Sequence, residues 1–107
     1  MKRVKSEAYL KFIRSLPCLL CGDNTSVEAA HIRFGDIRAG KRPTGMGEKP
    51  DDRWTLPLCK RHHDEQHKRG ERLFWTQAGV SPMWVSLALQ SVAPDLEAAE
   101  NLMRAWR

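Results

Sequence analysis

Ten residues, Leu58 to His67 (LCKRHHDEQH), hold one of the chain's three cysteines and three of its four histidines. Cysteine and histidine at short spacing are metal ligands. Zn²⁺ takes four nitrogen or sulfur donors tetrahedrally, and a two-residue gap lets both side chains of a dyad reach one ion. Cys18-x-x-Cys21 and Cys59-x-x-His62 are two such dyads, and together they use every cysteine in the chain. A structural Zn²⁺ on Cys18, Cys21, Cys59 and His62 is therefore expected, pinning an early knuckle onto a later helix. Three buried free thiols would leave the paired spacing unexplained. A thiol oxidoreductase would leave Cys59 and His62 without a purpose.

The remaining histidines divide by helix geometry. Each residue of a helix turns by about 100°, so His62 and His63 do not readily face one point. His63 and His67 stand at i and i+4, on one face. Such a pair is a ready bidentate site for a divalent ion, and equally an ordinary solvent-facing pair. His31 falls at the end of an expected strand, and alone it would read as a packed histidine.

The elements that must position these groups follow from patterning. SEAYLKFIRSL spaces Tyr9, Leu10, Phe12 and Ile13 for one apolar helix face, with Ser6 as cap and Pro17 as stop. PCLLCGDN is a tight knuckle. SVEAAHIRF and RWTLPLC are short strands, Pro57 placing the second at an edge or near its end. Between them lies a loop with four glycines, two prolines and four basic residues in GDIRAGKRPTGMGEKPDD. A loop this long in a small domain is functional or disordered. KRHHDEQHKR is helical and stops at Gly70. The remainder is helical, with Ser81 capping one helix, Pro82 at its first position and Pro94 opening the last. Met83, Trp84, Leu87, Leu89, Leu96, Leu102 and Trp106 are expected to pack.

With 107 residues the chain fits one domain, for which a metal staple is useful. Eighteen Lys and Arg against thirteen Asp and Glu give a net charge of +5, which makes a nucleic acid a fair first partner. No apolar run is long enough for a bilayer, and the basic N-terminus lacks the pattern of a secretory signal. The expected compartment is the cytoplasm, where thiols stay reduced.

Taken together, PCLLCG … AAHIR … WTLPLCKRHHDEQH resembles the zinc-knuckle branch of the HNH endonuclease superfamily, over roughly residues 17 to 68. That branch's pattern runs Cys-x-x-Cys, Asp/His-His-Ile, then Asn-Leu-x-x-Leu-Cys-x-x-Cys-His. YLKFIRSLPCLLCG with PLCKRHHDEQH is also similar to small phage and prophage members, including relatives of the recombination-enhancement nuclease.

The resemblance implies an α+β fold. A ββα-metal core over about residues 17–70 would carry the zinc knuckle, behind an N-terminal helix and ahead of a helical extension over 71–107. It implies a metal-dependent DNA endonuclease or nickase leaving 5′-phosphate and 3′-hydroxyl ends, linked to recombination, with phage or host recombination proteins as further partners. His31 matches the general base that takes a proton from water. His63 and His67 match ligands of a catalytic Mg²⁺, Mn²⁺, Ni²⁺ or Zn²⁺, and His62 stands where cysteine is commoner in the knuckle. Arg33, Arg38, Lys41, Arg42 and Lys49 lie in the loop that would run beside the DNA backbone, where arginine grips phosphate with paired donors.

Two positions depart from the pattern. Ala30 stands where many members have a metal-binding Asp or His, and Trp54 stands where an asparagine helps to hold the base histidine. Asp51 or Asp52 is placed to supply a carboxylate to the metal or to His31, with Asp36 as a further candidate. The departures favour a rival reading from another class, a zinc-knuckle nucleic-acid-binding module without catalysis.

Overall fold

The structure, a computed structural model, describes residues 5–45 and 50–106. In chain order it has α1 (Glu7–Arg14), β1 (Val27–His31), a single 3-10 turn (Ile37–Ala39), β2 (Thr55–Cys59), α2 (Lys60–Arg69), α3 (Glu71–Ala78), α4 (Pro82–Val92) and α5 (Leu96–Arg104). The fold class is α+β, a two-stranded antiparallel sheet set among five helices, as expected.

The Ser6 hydroxyl accepts the Tyr9 N–H at 3.1 Å and so caps α1. Phe12 and Ile13 form the buried face of that helix. The strands pair from Val27 opposite Cys59 to His31 opposite Thr55, with Ala29 facing Pro57. Proline donates no hydrogen bond, which a two-stranded sheet tolerates because each strand has a free edge. The Pro57 carbonyl takes the Leu19 N–H at 2.9 Å, which ties the knuckle to β2.

Every residue of β2 is buried, so the sheet is covered on both faces. Ile13, Leu16, Leu19, Ile32, Leu56 and Leu58 meet in the core at 0 or 1 % exposure. Burying each such side chain contributes about 1.5–3 kcal/mol. The C-terminal helices close the core with Trp75, Met83, Leu89 and Met103.

Several elements differ from the sequence reading. Both strands are shorter than expected, because pairing ends where the chain leaves the ladder. The helical remainder contains a separate α3 that starts directly after Gly70. There the Glu71 carboxylate accepts the N–H groups of Arg33 and Phe34 at 3.0–3.3 Å, which fastens the start of the long loop to α3. Ser81 stands at the cap position of α4 but its side chain makes no cap bond. The last helix begins at Leu96, where Asp95 accepts the Ala98 N–H at 3.0 Å, rather than at Pro94. Trp84, Leu96 and Trp106, expected to pack, are 37–43 % exposed. No helix among the described residues is long and apolar enough to cross a membrane.

Candidate functional site

The knuckle is built by backbone bonds. Cys18 donates to the Asp23 carbonyl at 2.8 Å and Gly22 donates to the Cys18 carbonyl at 2.9 Å. This turn aims Cys18 and Cys21 at the junction of β2 and α2. Cys59 ends the strand and precedes α2 without a side-chain cap bond, so its sulfur is available to a metal.

The four ligand atoms lie within 4.8 Å of one another. His62 Nδ1 is 3.3 Å from the Cys59 sulfur and 3.5 Å from that of Cys18, and the Cys21 and Cys59 sulfurs are 3.9 Å apart. Tetrahedral bonds to zinc demand about 3.8 Å between sulfurs and about 3.6 Å between sulfur and nitrogen. The set therefore fits a metal ion such as zinc, and the two dyads expected from spacing do converge.

The shifts of Cys21, Cys59 and His62 run in different directions. Burial pulls the His62 imidazole below its ordinary value, helped by the charge of Arg61, which favours the neutral ring that a metal ligand requires. Burial pushes the Cys59 thiol up. At Cys21 burial also pushes upward, but the Asp23 backbone and the neighbouring Cys18 and Cys59 thiols outweigh it, and the net shift is downward. All three cysteines are free of disulfides.

His31 and Asp52 come together a few residues away. His31 Nε2 lies 3.0 Å from Asp52 Oδ1, and the other Asp52 oxygen accepts the Ser6 N–H at 2.8 Å. The Asp52 side chain is 5 % exposed and that of His31 29 %. Between the two aspartates left open by the sequence, Asp52 is the one bonded to His31. Trp54, at the expected asparagine position, is buried, and its ring lies about 6 Å from Lys41 Nζ and from the Arg53 guanidinium. Trp54 therefore packs, and the carboxylate against His31 comes from Asp52.

His63 and His67 lie side by side on α2 with ring centroids 4.8 Å apart. His63 Nδ1 is 2.8 Å from Glu28 Oε1 on β1. A carboxylate on one imidazole nitrogen is the usual way to fix the tautomer and turn the other nitrogen toward a metal. The sequence reading missed Glu28. The only available signal was alternation, since Glu28 shares a strand face with Ala30 two residues on.

The same alternation separates the histidines. Glu28 and His31 are three positions apart on β1, and they reach different elements: Glu28 bonds α2, and His31 connects through Asp52 to the start of α1. Among the described residues, only the Cys18, Cys21, Cys59 and His62 set gathers three or more His, Cys, Asp or Glu donors as a metal cage. His63, His67 and Glu28 do not form such a set.

The loop residues also divide. Arg33, Arg38 and Arg42 are exposed, as a phosphate contact requires. Lys41 is a correction: it is 5 % exposed, and its ammonium donates to the Arg33 and Arg42 carbonyls at 3.3 Å. Burial lowers its pKa, and its ammonium is bonded inside the loop instead of facing outward as a phosphate contact requires. Lys49 lies outside the described residues. Asp36 bonds within the loop and reaches none of the histidines, so it is not a third metal ligand. Arg33, Thr44, Gln66, His67 and Glu71 line one groove of about 330 Å³ between the loop and the end of α2.

The comparisons with known proteins define the class first. The profile of the DUF968 family, described as a protein of unknown function, matches residues 1–92, and the chain belongs to that family. Among curated proteins it is similar to the uncharacterized protein YdfU of Escherichia coli (strain K12), at 33 % identity over 66 residues. That match covers 62 % of this chain and 17 % of YdfU, so the chain spans less than a fifth of its relative's length. No solved structure matches.

Proposed function

We propose that this protein is a metal-dependent DNA endonuclease or nickase built around a structural zinc knuckle. The observation that carries the reading is the His31–Asp52 pair. A half-buried imidazole has one nitrogen held by a buried carboxylate that is itself tethered to Ser6. With Nε2–H donated to Asp52, Nδ1 becomes the acceptor, which is the form a general base needs.

Cys18, Cys21, Cys59 and His62 hold zinc and fix the start of α2 against the sheet. His63, turned by Glu28, and His67 are the residues that would hold a divalent ion. Such an ion, when bound, stabilises charge on a scissile phosphate and on the leaving oxygen. Two imidazoles suit Mn²⁺, Ni²⁺ or Zn²⁺ better than Mg²⁺. Arg33, two residues beyond His31, shares a groove with His67 and supplies a phosphate grip there. The net charge of +5 favours a polyanionic substrate.

One observation favours a second reading. Ala30 is fully buried and offers no ligand, and His31 and His63 bond partners on different elements. A zinc-knuckle module that binds nucleic acid without cutting it would need neither histidine site. Supercoiled plasmid incubated with the protein and Mg²⁺ or Mn²⁺ separates the two. Nicking by the wild type, abolished in His31→Ala, is the expected result. Metal-independent binding with no nicking under any metal replaces the enzyme with the module.

A further inference from the structure

Ile37 is 93 % exposed, more than any other large apolar side chain among the described residues. Single exposed apolar residues are ordinary. What sets Ile37 apart is the effort with which the backbone holds it in water. Asp36 and Lys41 exchange both backbone hydrogen bonds across the base of its turn, at 2.8 and 3.0 Å. The Asp36 carboxylate caps the turn through the Arg38 N–H at 3.0 Å. Gly40 closes it with a φ of 73°, which other residues rarely adopt. Gly35 lies so near Pro43 that an added Cβ would sit 2.5 Å from the proline nitrogen. The result is a knob closed by backbone hydrogen bonds, with one isoleucine at its tip.

The knob has a cationic rim. Arg38 and Arg42 flank it and are exposed. The Arg72 guanidinium lies 4.7 Å from the Phe34 ring centroid, an arrangement that pre-orients it. Ile37, Arg42 and Arg72 line one open groove.

A protein partner suits this surface poorly. It would cover a single apolar side chain at the cost of desolvating several guanidinium groups. Duplex DNA suits it well, because phosphates repeat on both sides of a stack of flat apolar faces. Architectural proteins insert a lone Ile, Leu, Met or Phe between two base pairs and bend the duplex by about 20–90°. We propose that Ile37 is a wedge of this kind, entering a base step of duplex DNA while Arg38, Arg42 and Arg72 hold the flanking phosphates. The inference rests on the DNA-acting reading above, but not on cleavage.

The test uses the full chain and a duplex of about 30 base pairs, shorter than the persistence length, with fluorophores at its two ends. Binding is followed by anisotropy and bending by energy transfer, in Ca²⁺ or without metal so that no strand is cut. The wild type is expected to bind and to bring the ends together. Ile37→Ala is expected to bind within about tenfold, with an unchanged salt slope, and to leave the duplex straight. Ile37→Met is expected to restore the bend, because it restores an apolar tip. If Ile37→Ala bends DNA as the wild type does, the wedge is wrong and the DNA-acting reading stands. If the wild type binds no duplex, that reading fails and the wedge with it. A change confined to self-association of the protein, seen by sedimentation without DNA, overturns the wedge in favour of a contact between copies.

Discussion

Asp52 joins two elements from a position 21 residues beyond one and 46 beyond the other: one carboxylate oxygen lies against His31 at the end of β1, and the other receives the Ser6 N–H at the start of α1. The catalytic candidate is thus oriented by a group that also anchors the first helix. Asp52→Asn keeps the volume but offers His31 Nε2 an ambiguous amide. Nicking is expected to fall by about a hundredfold or more, as when a base loses its orienting acceptor. Stability is expected to fall by only about 1–3 kcal/mol. A drop in activity no larger than the loss of folded protein, followed by circular dichroism, would make Asp52 a purely structural anchor.

The purified protein is expected to carry about one zinc ion per chain, released when the thiols are modified. Because the ligands come from both ends of the hairpin, a chelator that strips the ion should lower the melting temperature and broaden the transition. Cys59→Ala should weaken zinc binding by at least about a hundredfold, more than the loss of an outer-shell contact. His62→Cys should keep the metal. Elemental analysis and calorimetry read both variants, and a wild type without metal that melts as sharply as the loaded form would contradict the staple.

The Tyr9 hydroxyl is buried with no hydrogen-bond partner, and burial holds its pKa well above the ordinary tyrosine value. The sign follows from linkage. Above about pH 10 the unfolded chain gives up this proton while the folded chain keeps it, so stability is lost as pH rises. Tyr9→Phe removes the unpaired hydroxyl. It should stabilise the protein by about 1 kcal/mol at neutral pH and flatten the alkaline side of the stability profile. Urea unfolding at pH 7 and pH 10.5 measures both, and equal alkaline slopes in the two proteins would contradict the assignment.

Loop cations that look alike in sequence should behave differently. Arg38→Ala and Arg42→Ala should each weaken DNA binding and lower the salt slope by about one unit, as expected for phosphate contacts. Lys41→Met should leave that slope unchanged, because the ammonium is bonded inside the loop. Its effect should appear as faster proteolysis between Arg33 and Thr44. Anisotropy titrations over a range of salt concentrations decide between them.

The metal dyads were legible because tetrahedral coordination imposes a spacing that a linear sequence preserves. The capping of α1 by Ser6 and the stop at Gly70 were legible for a similar reason, since local backbone bonds need particular residues. Glu28 and Asp52 were harder. Both act across the fold, and a carboxylate in a loop or strand looks the same whether it bonds a histidine or water. Lys41 was misplaced because charge is read from sequence while burial depends on the loop's closure. Trp84, Leu96 and Trp106 were expected inside on hydrophobicity alone, yet each is partly exposed in the C-terminal part of the chain. Ile37 gave no signal, since a lone isoleucine in a polar loop is equally able to turn inward.

The two ligand dyads bracket the hairpin, and one consequence concerns heredity. The described part of the loop, residues 35–45, hangs from a frame already fastened at its base by the ladder and the knuckle. Lengthening such a segment is cheap, about 0.6 kcal/mol for each doubling. Descendants of one ancestral frame are therefore free to trade this segment for others of different size and chemistry, changing what they grip while the frame itself stays put.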